Sequence, residues 1–464
     1  MAGQHWQRVK LAIWLIVGCC FLATTALAME LGGADISVQS TTKYRYQWSD
    51  SPDPEMLVQD DSDQDIFETV NADARWEELG LTFSTMATYT KDIDGTRQGS
   101  IFQDYVDTRD NRQDFECYYA YLEKSGLFDD NLTVRAGRQY AYGAETIHFD
   151  GLWTHLDIPS WLNMEIEGFG GRVVQHYSDL GPSGIGGANL RIHPLEGLAL
   201  EFSGVFFEEN SYETSLYWQP ADNWKVRSRV AFINNHTRYI DVGLSSTIPE
   251  TGTSLDFSVY RRYAISSSAD YLFDFSYTLD EALSSRAHSL YLMQEEGYIE
   301  FDVRLGQQVW FVPGLNVYGR YTKRGLSEGD DENLYNTDFQ RVTFGFDLEE
   351  GITWEGFRLG AGISRWWEDR DKFYEEESTS YFVEVHQEFL ERFEFEADYY
   401  HKNEDVNSLI ENEASTRYRT ALTYKVCDYS RIGLEYEYSE DDYYKHELGI
   451  DHINALTVSL DLDF

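Results

Sequence analysis

Apolar and polar residues alternate with a period of two along almost the whole chain, which is the signature of strands with one apolar and one polar face. In the last stretch Leu456, Val458, Leu460, Leu462 and Phe464 share one side, with Thr457, Ser459, Asp461 and Asp463 on the other. The same pattern runs through Phe393, Phe395, Ala397 and Tyr399, through Ile432, Leu434, Tyr436 and Tyr438, and back to Ile36 and Val38 near the start. Counting each alternating segment as a strand predicts an all-β chain of roughly 20 to 24 antiparallel strands, an even number if both ends lie on one side of a membrane. Segments 151–158, 271–277 and 288–294 carry the weakest pattern.

The connections alternate as well. Short ones, such as Pro220-Ala221-Asp222-Asn223, Pro313-Gly314, Leu390-Glu391-Arg392 and Asp428-Tyr429-Ser430, are interleaved with long polar ones at 50–64, 91–113, 325–336, 367–378 and 403–413. Tight turns at one end and long loops at the other fit a single transmembrane β-barrel. A soluble sandwich would break the pattern into domains of about 100 residues. Strand signals begin by Ala34, which leaves no stretch for an N-terminal plug domain.

Before Ala34 the chain reads differently. Arg8 and Lys10, the apolar run from Leu11 to Leu22 and Ala26-Leu27-Ala28 form a secretory signal peptide over residues 1–28, with the barrel assigned to 29–464. The weaker alternative is a lipoprotein signal at Ile16-Val17-Gly18-Cys19. Past the signal, only Cys117 and Cys427 remain, either as a disulfide or as two thiols. With no C-x-x-C-H there is no covalent haem on this chain, and no cofactor is expected.

Charge then excludes partners. Lys and Arg number 37 against 81 Asp and Glu, a net −44 that argues against nucleic acid. With 42% hydrophobic residues and 16% aromatics the chain is also far from the composition of disorder.

The alternating last strand, the terminal Phe464, the loop asymmetry and the signal peptide together resemble Gram-negative outer-membrane porin-like β-barrels. That resemblance implies an outer-membrane location among lipid and recognition of Phe464 by the barrel-assembly machinery. A local resemblance is carried by Gly137-Arg138-Gln139, Phe149-Asp150-Gly151-Leu152 and Phe169-Gly170-Gly171-Arg172, which look like a region of porin and alginate-export-type families. Leu132, Val134 and Ala136 point to the apolar side, so the alternation sends Arg138 toward lipid unless a bulge re-aims it.

If the apolar faces meet lipid, the other faces line a lumen. Its candidate residues are Glu394, Glu396 and Asp398 on one strand, Arg417, Arg419 and Lys425 on the next, and Glu435 and Glu437 on a third. Further basic candidates are Lys225, Arg227, Arg229, Arg320 and Arg358, with Arg191 and Arg341. They read either as cross-strand charge pairs or as a charged constriction. The acidic surplus collects in expected outer loops at Asp60, Asp61 and Asp63 and at Asp330, Asp331 and Glu332, which read as solvated loops, a divalent-cation site or a dock for a cationic partner. Asp61, Asp63 and Asp65 open like an EF-hand, but Ile66 stands where the loop needs Gly. Glu384, His386 and Glu388 share a strand face, yet the outer two lie about 13 Å apart, so a single metal ion would need ligands from other strands.

Twenty-two strands give a backbone diameter of about 44 Å, too wide to leave open. Either inward loops, with 91–113 the best candidate, make the barrel a channel for passive passage of ions or small solutes, or a partner fills it. The partner reading is a porin-like sheath around a periplasmic multihaem cytochrome. An enzyme or a polyanion exporter fits less well, because no catalytic constellation and no net basic lumen can be read.

Overall fold

The computed structural model of the chain describes residues 33–50, 62–95, 102, 106–108, 110–174, 184–207, 210–264, 297–327, 338–349, 355–368, 376–406, 413–442, 445–446 and 449–464. The expected signal peptide lies outside these residues, as do 271–277, 288–294, Asp60, Asp61, Asp330, Asp331 and Glu332.

One antiparallel sheet of 22 strands makes up the wall. Its first half comprises β1 (Asp35–Asp50), β2 (Ser62–Trp76), β3 (Leu81–Asp92), β4 (Gln113–Leu127), β5 (Leu132–Ala141), β6 (Ile147–Ile158), β7 (Met164–Val173), β8 (Gly184–Leu195), β9 (Leu198–Phe206), β10 (Asn210–Ala221) and β11 (Trp224–Ile233). The second half comprises β12 (His236–Ile248), β13 (Thr253–Arg262), β14 (Tyr298–Gln308), β15 (Leu315–Leu326), β16 (Phe339–Leu348), β17 (Phe357–Glu368), β18 (Glu376–Phe389), β19 (Phe393–Val406), β20 (Glu413–Cys427), β21 (Ser430–Asp441) and β22 (His452–Asp463). Each strand pairs with its neighbour in sequence, and β22 pairs back onto β1 from Gln39↔Asp463 to Asp50↔His452, so the sheet is a closed barrel. Closure leaves no unpaired edge. The strand count falls within the expected range, and β13 pairs directly with β14.

Every connection after an even-numbered strand is short and gathers at one end of the barrel. The hairpin at Leu390 and Glu391 turns with φ of 55 and 57, the left-handed geometry that matches strand twist in a tight reversal. Both chain ends reach this same end, where Val38 and Phe464 exchange two backbone hydrogen bonds of 2.9 Å.

Several strands run further than the alternation suggested. Asp63, expected in an outer loop, lies in β2 opposite Gln47, and it is buried. The cause is the length of β1, whose pairing with β2 continues to Trp48↔Ser62 beyond the apolar part of either strand.

The local motif of residues 137–172 takes its form from three glycines in adjacent register, Gly137↔Gly151 and Gly151↔Gly171. A Cβ on Gly151 would meet the Gly170 carbonyl and sit 2.7 Å from the Gly171 Cα, and one on Gly171 would sit 2.8 Å from the Gly151 Cα. Only glycine lets these backbones approach so closely. Gln139 lies fully buried over this row, donating to the Gly151 carbonyl at 3.1 Å and the Gly137 carbonyl at 3.4 Å. Replacing Gly151 by Ala is therefore expected to cut the heat-modifiable folded fraction on unheated gels by more than half. Gly168→Ala is the control, since its Cβ would stand in ordinary contact 3.5 Å from Thr154 Oγ1.

β6 shows why 151–158 read poorly. Trp153 stands on the polar side with Ile147 and Phe149, and Thr154 interrupts Leu152, Leu156 and Ile158 on the other, which blurs the alternation. Ile147 and Phe149 join Ile185, Val205 and Ile233 in a buried apolar cluster covered partly by Ala144 from the β5–β6 connection.

Candidate functional site: the polar face of the wall

Register decides which side chains share a face, because residues opposite each other across two strands point the same way. Followed strand by strand, one face is apolar and the other carries a nearly continuous set of charges. Phe395, Leu422, Leu434 and Val458 form one apolar rung, while Asp398, Arg419 and Glu437 form a charged one.

The three strands with acidic, basic and acidic residues meet as β19, β20 and β21. Arg419 binds Asp398 at 2.9 Å, Glu435 at 2.7 Å and Glu396 at 3.4 Å, so one guanidinium ties the three strands. Its five donors in a planar fork suit such bridging better than an ammonium would. Lys425 reaches Asp428 in the following turn at 2.8 Å. On β11, Arg229 and Arg227 approach Asp241 at 2.7 and 3.6 Å. Arg320 binds Asp302 at 2.7 Å, and Arg191 binds Glu201 at 3.0 Å.

Other candidates are not neutralised in this way. Lys225, Arg358 and Arg417 make no ion pair among the described residues. Lys225 and Arg227 line a hollow of 590 Å³ with His193, Tyr217 and Asp256. Arg358 lines a second, of 360 Å³, with Asp347, Glu384, Asp398 and Arg419.

Some polar-face features were not singled out in the sequence. Arg135 is held by Glu123 at 2.7 Å between the rings of Tyr121 (4.4 Å) and Trp153 (4.6 Å). The alternation of Leu132, Val134 and Ala136 already placed it on this face, so the signal was present. Glu145 gave none. It comes from the β5–β6 connection, accepts from Ser211 at 2.6 Å and pairs with Arg238, which ties that connection to β10 and β12.

At the loop end, Asp63, Asp92 and Asp94 bring carboxylate oxygens within 4.8 Å of one another. Burial pushes the Asp94 carboxyl above the ordinary carboxylate range, against the lowering effect of hydrogen bonds from Gln64. Of the loop expected to constrict the barrel, Val106–Thr108 forms a 3-10 turn against β3 and β4, with Phe102 and Val106 buried.

On the apolar face, Arg138 is not re-aimed. No register shift occurs between Tyr121↔Gly137 and Ala120↔Arg138, and the guanidinium makes two bonds of 2.9 and 3.0 Å to Asp150. Arg172 lies directly across from Asp150, which completes a charged row on a face otherwise apolar. Nearby, His148 stacks on Tyr140 at 4.3 Å and contacts the Tyr118 carbonyl at 2.6 Å. Cys117 and Cys427 are free thiols.

No known family's sequence pattern matches the chain, and no curated protein matches it. Solved structures similar to it include a BenF-like porin from Pseudomonas fluorescens, 11% identical over 94% of this chain and 100% of that one with a TM-score of 0.46. OpdK from Pseudomonas aeruginosa, solved with vanillate, is 10% identical over 93% of this chain and 99% of that one, with a TM-score of 0.43. The translocation pore of the P pilus usher PapC is 7% identical over 92% and 99%, with a TM-score of 0.47.

Proposed function

We propose that this protein is an outer-membrane channel through which ions or small solutes pass passively. The observation that carries the reading is the two-sided closed wall. An apolar face that runs around 22 strands suits lipid, and a charged face that runs around the same strands suits water. A collar of exposed apolar residues on the short turns supports it: Trp310 is 89% exposed and Phe128 79%, with Trp161, Leu390 and Tyr429 at the same end. Such residues anchor a barrel at the membrane interface. In this reading the polar face lines the lumen, and the buried inner cluster with its tie from Glu145 narrows one side.

Purified protein in a planar bilayer is expected to conduct, with cations preferred at low salt because acidic residues exceed basic ones. The preference should fade as the Debye length falls from about 30 Å at 0.01 M to about 10 Å at 0.1 M. Deleting 96–109 is expected to raise single-channel conductance if that segment restricts the path. Anion preference that persists at low salt would instead give control to Lys225, Arg358 and Arg417.

The width of the wall favours a second reading. A backbone diameter of about 44 Å also fits a sleeve around a folded partner such as a multihaem cytochrome. A sleeve would co-purify with haem absorbance and pass little current while filled, whereas a channel conducts as an isolated chain.

A further inference from the structure

The hairpin of β18 and β19 brings a histidine and three glutamates together on the polar face, beside the short turn. His386 lies directly across from Glu396, and Glu388 directly across from Glu394. The His386 Nδ1 stands 3.6 Å from Glu394 Oε1 and 3.7 Å from Glu396 Oε1, while its Nε2 stands 3.6 Å from Glu388 Oε1. These gaps are too long for good hydrogen bonds. They are close to the separation of about 3.3 Å between two ligand atoms that share one ion at 2.0 to 2.1 Å. The ligand atoms of His386, Glu394 and Glu396 all fall within 4.8 Å of one another.

Charge points the same way. Like charges directly opposite one another, as at Glu388 and Glu394, repel across a sheet. Of the two nearby arginines, Arg419 is shared among Asp398, Glu435 and the other oxygen of Glu396, while Arg358 lies directly across from His386 on β17 and leaves the three glutamates in excess. Elsewhere on the wall His155 has both ring nitrogens in contact with carboxylates at hydrogen-bond range, 3.1 Å to Asp157 and 3.3 Å to Glu167. His386 has no such closure. The adjoining 360 Å³ hollow leaves space for a hydrated ion and its exchange.

We propose that His386, Glu394 and Glu396 form a binding site for one late first-row divalent cation of the Zn²⁺ type. One imidazole with two carboxylates suits Zn²⁺, Cu²⁺ or Ni²⁺, while Ca²⁺ and Mg²⁺ prefer sites built of oxygen alone. Three protein ligands leave a coordination position to water, so the ion exchanges with solvent. The binding step stands on these residues alone; its effect on current rests on the channel reading.

The test titrates Zn²⁺ into the purified, detergent-folded full barrel against a zinc-chelating dye. One Zn²⁺ per chain is expected, with affinity lowered about tenfold or more by His386→Asn and by Glu394→Gln. His155→Asn should leave affinity unchanged, and a hundredfold excess of Mg²⁺ should not compete. Unaltered heat-modifiability on gels confirms that each variant is folded. Equal Zn²⁺ binding by wild type and folded His386→Asn overturns the proposal, as does full competition by Mg²⁺. In bilayers, Zn²⁺ should reduce the wild-type current and spare His386→Asn. A barrel that binds Zn²⁺ in this pattern yet never conducts would leave the site standing and remove the channel reading.

Discussion

Asp150→Asn is expected to damage barrel assembly more than Arg138→Gln does, although the two residues belong to one ion pair. On the apolar face Asp150 stands between two arginines, bonded to Arg138 and opposite Arg172. Removing its charge leaves both guanidinium groups on the apolar face, which meets lipid in the channel reading. A single lipid-facing Arg near the midplane costs about 2 to 4 kcal/mol, and breaking a pair in a low-dielectric setting leaves the remaining charge uncompensated. Arg138→Gln leaves Asp150 facing Arg172, so its cost should be the smaller. The double variant Arg138→Gln/Asp150→Asn, with one arginine left over, should recover part of the loss. Folded yield in lipid vesicles, read by heat-modifiability and by urea midpoint, checks the order. Equal yields for the two single variants would show that the row is well hydrated and outside the hydrocarbon.

Leu422→Arg should likewise prevent folding into vesicles, while Thr423→Arg, one residue further along β20, should fold. The two positions share depth and strand and differ only in face. Leu422 lies in the apolar rung between Phe395 and Leu434, so in the channel reading an Arg there meets lipid and costs about 2 to 4 kcal/mol. Thr423 lies across from Glu394 and Gly433, where an added guanidinium faces a carboxylate on the polar side. Equal tolerance at both positions would reverse or abolish the assignment of faces.

Much of this wall was legible in the sequence because a barrel strand writes its two environments as alternate letters. The strands from Phe393 to Phe464 could be read by that rule, and the same rule sent Arg138 to the apolar face. What alternation could not reveal was its counter-ion. That Asp150 stands opposite depends on the register of β5 with β6, which no single strand encodes. Residues 151–158 of β6 were obscure because Trp153 packs on a buried inner cluster and so puts an apolar ring on the polar side, while Thr154 interrupts the apolar one. Asp63 was taken for a loop residue because β1 and β2 pair beyond their apolar parts, where polarity no longer distinguishes strand from loop. The ligands around His386 were hidden for the same reason as Asp150: Glu384 and Glu388 are its neighbours in sequence, but Glu394 and Glu396 are its neighbours in space.

The seam between β1 and β22 has a consequence for the order of events in biogenesis. Every other pairing in the wall joins consecutive strands, which can zip as the chain emerges, but this one joins residues more than 400 positions apart. Loop-closure entropy rises only as the logarithm of length, so the distance itself is a modest obstacle. The larger hazard is time. Until Phe464 has been delivered and has met Val38, the nascent sheet keeps two open edges rich in unpaired amides and carbonyls, each a template for another chain. β1 therefore waits longest for its second neighbour, and pulse-labelled hydrogen exchange during refolding into vesicles is expected to find the β1 amides that face β22 among the last to be protected.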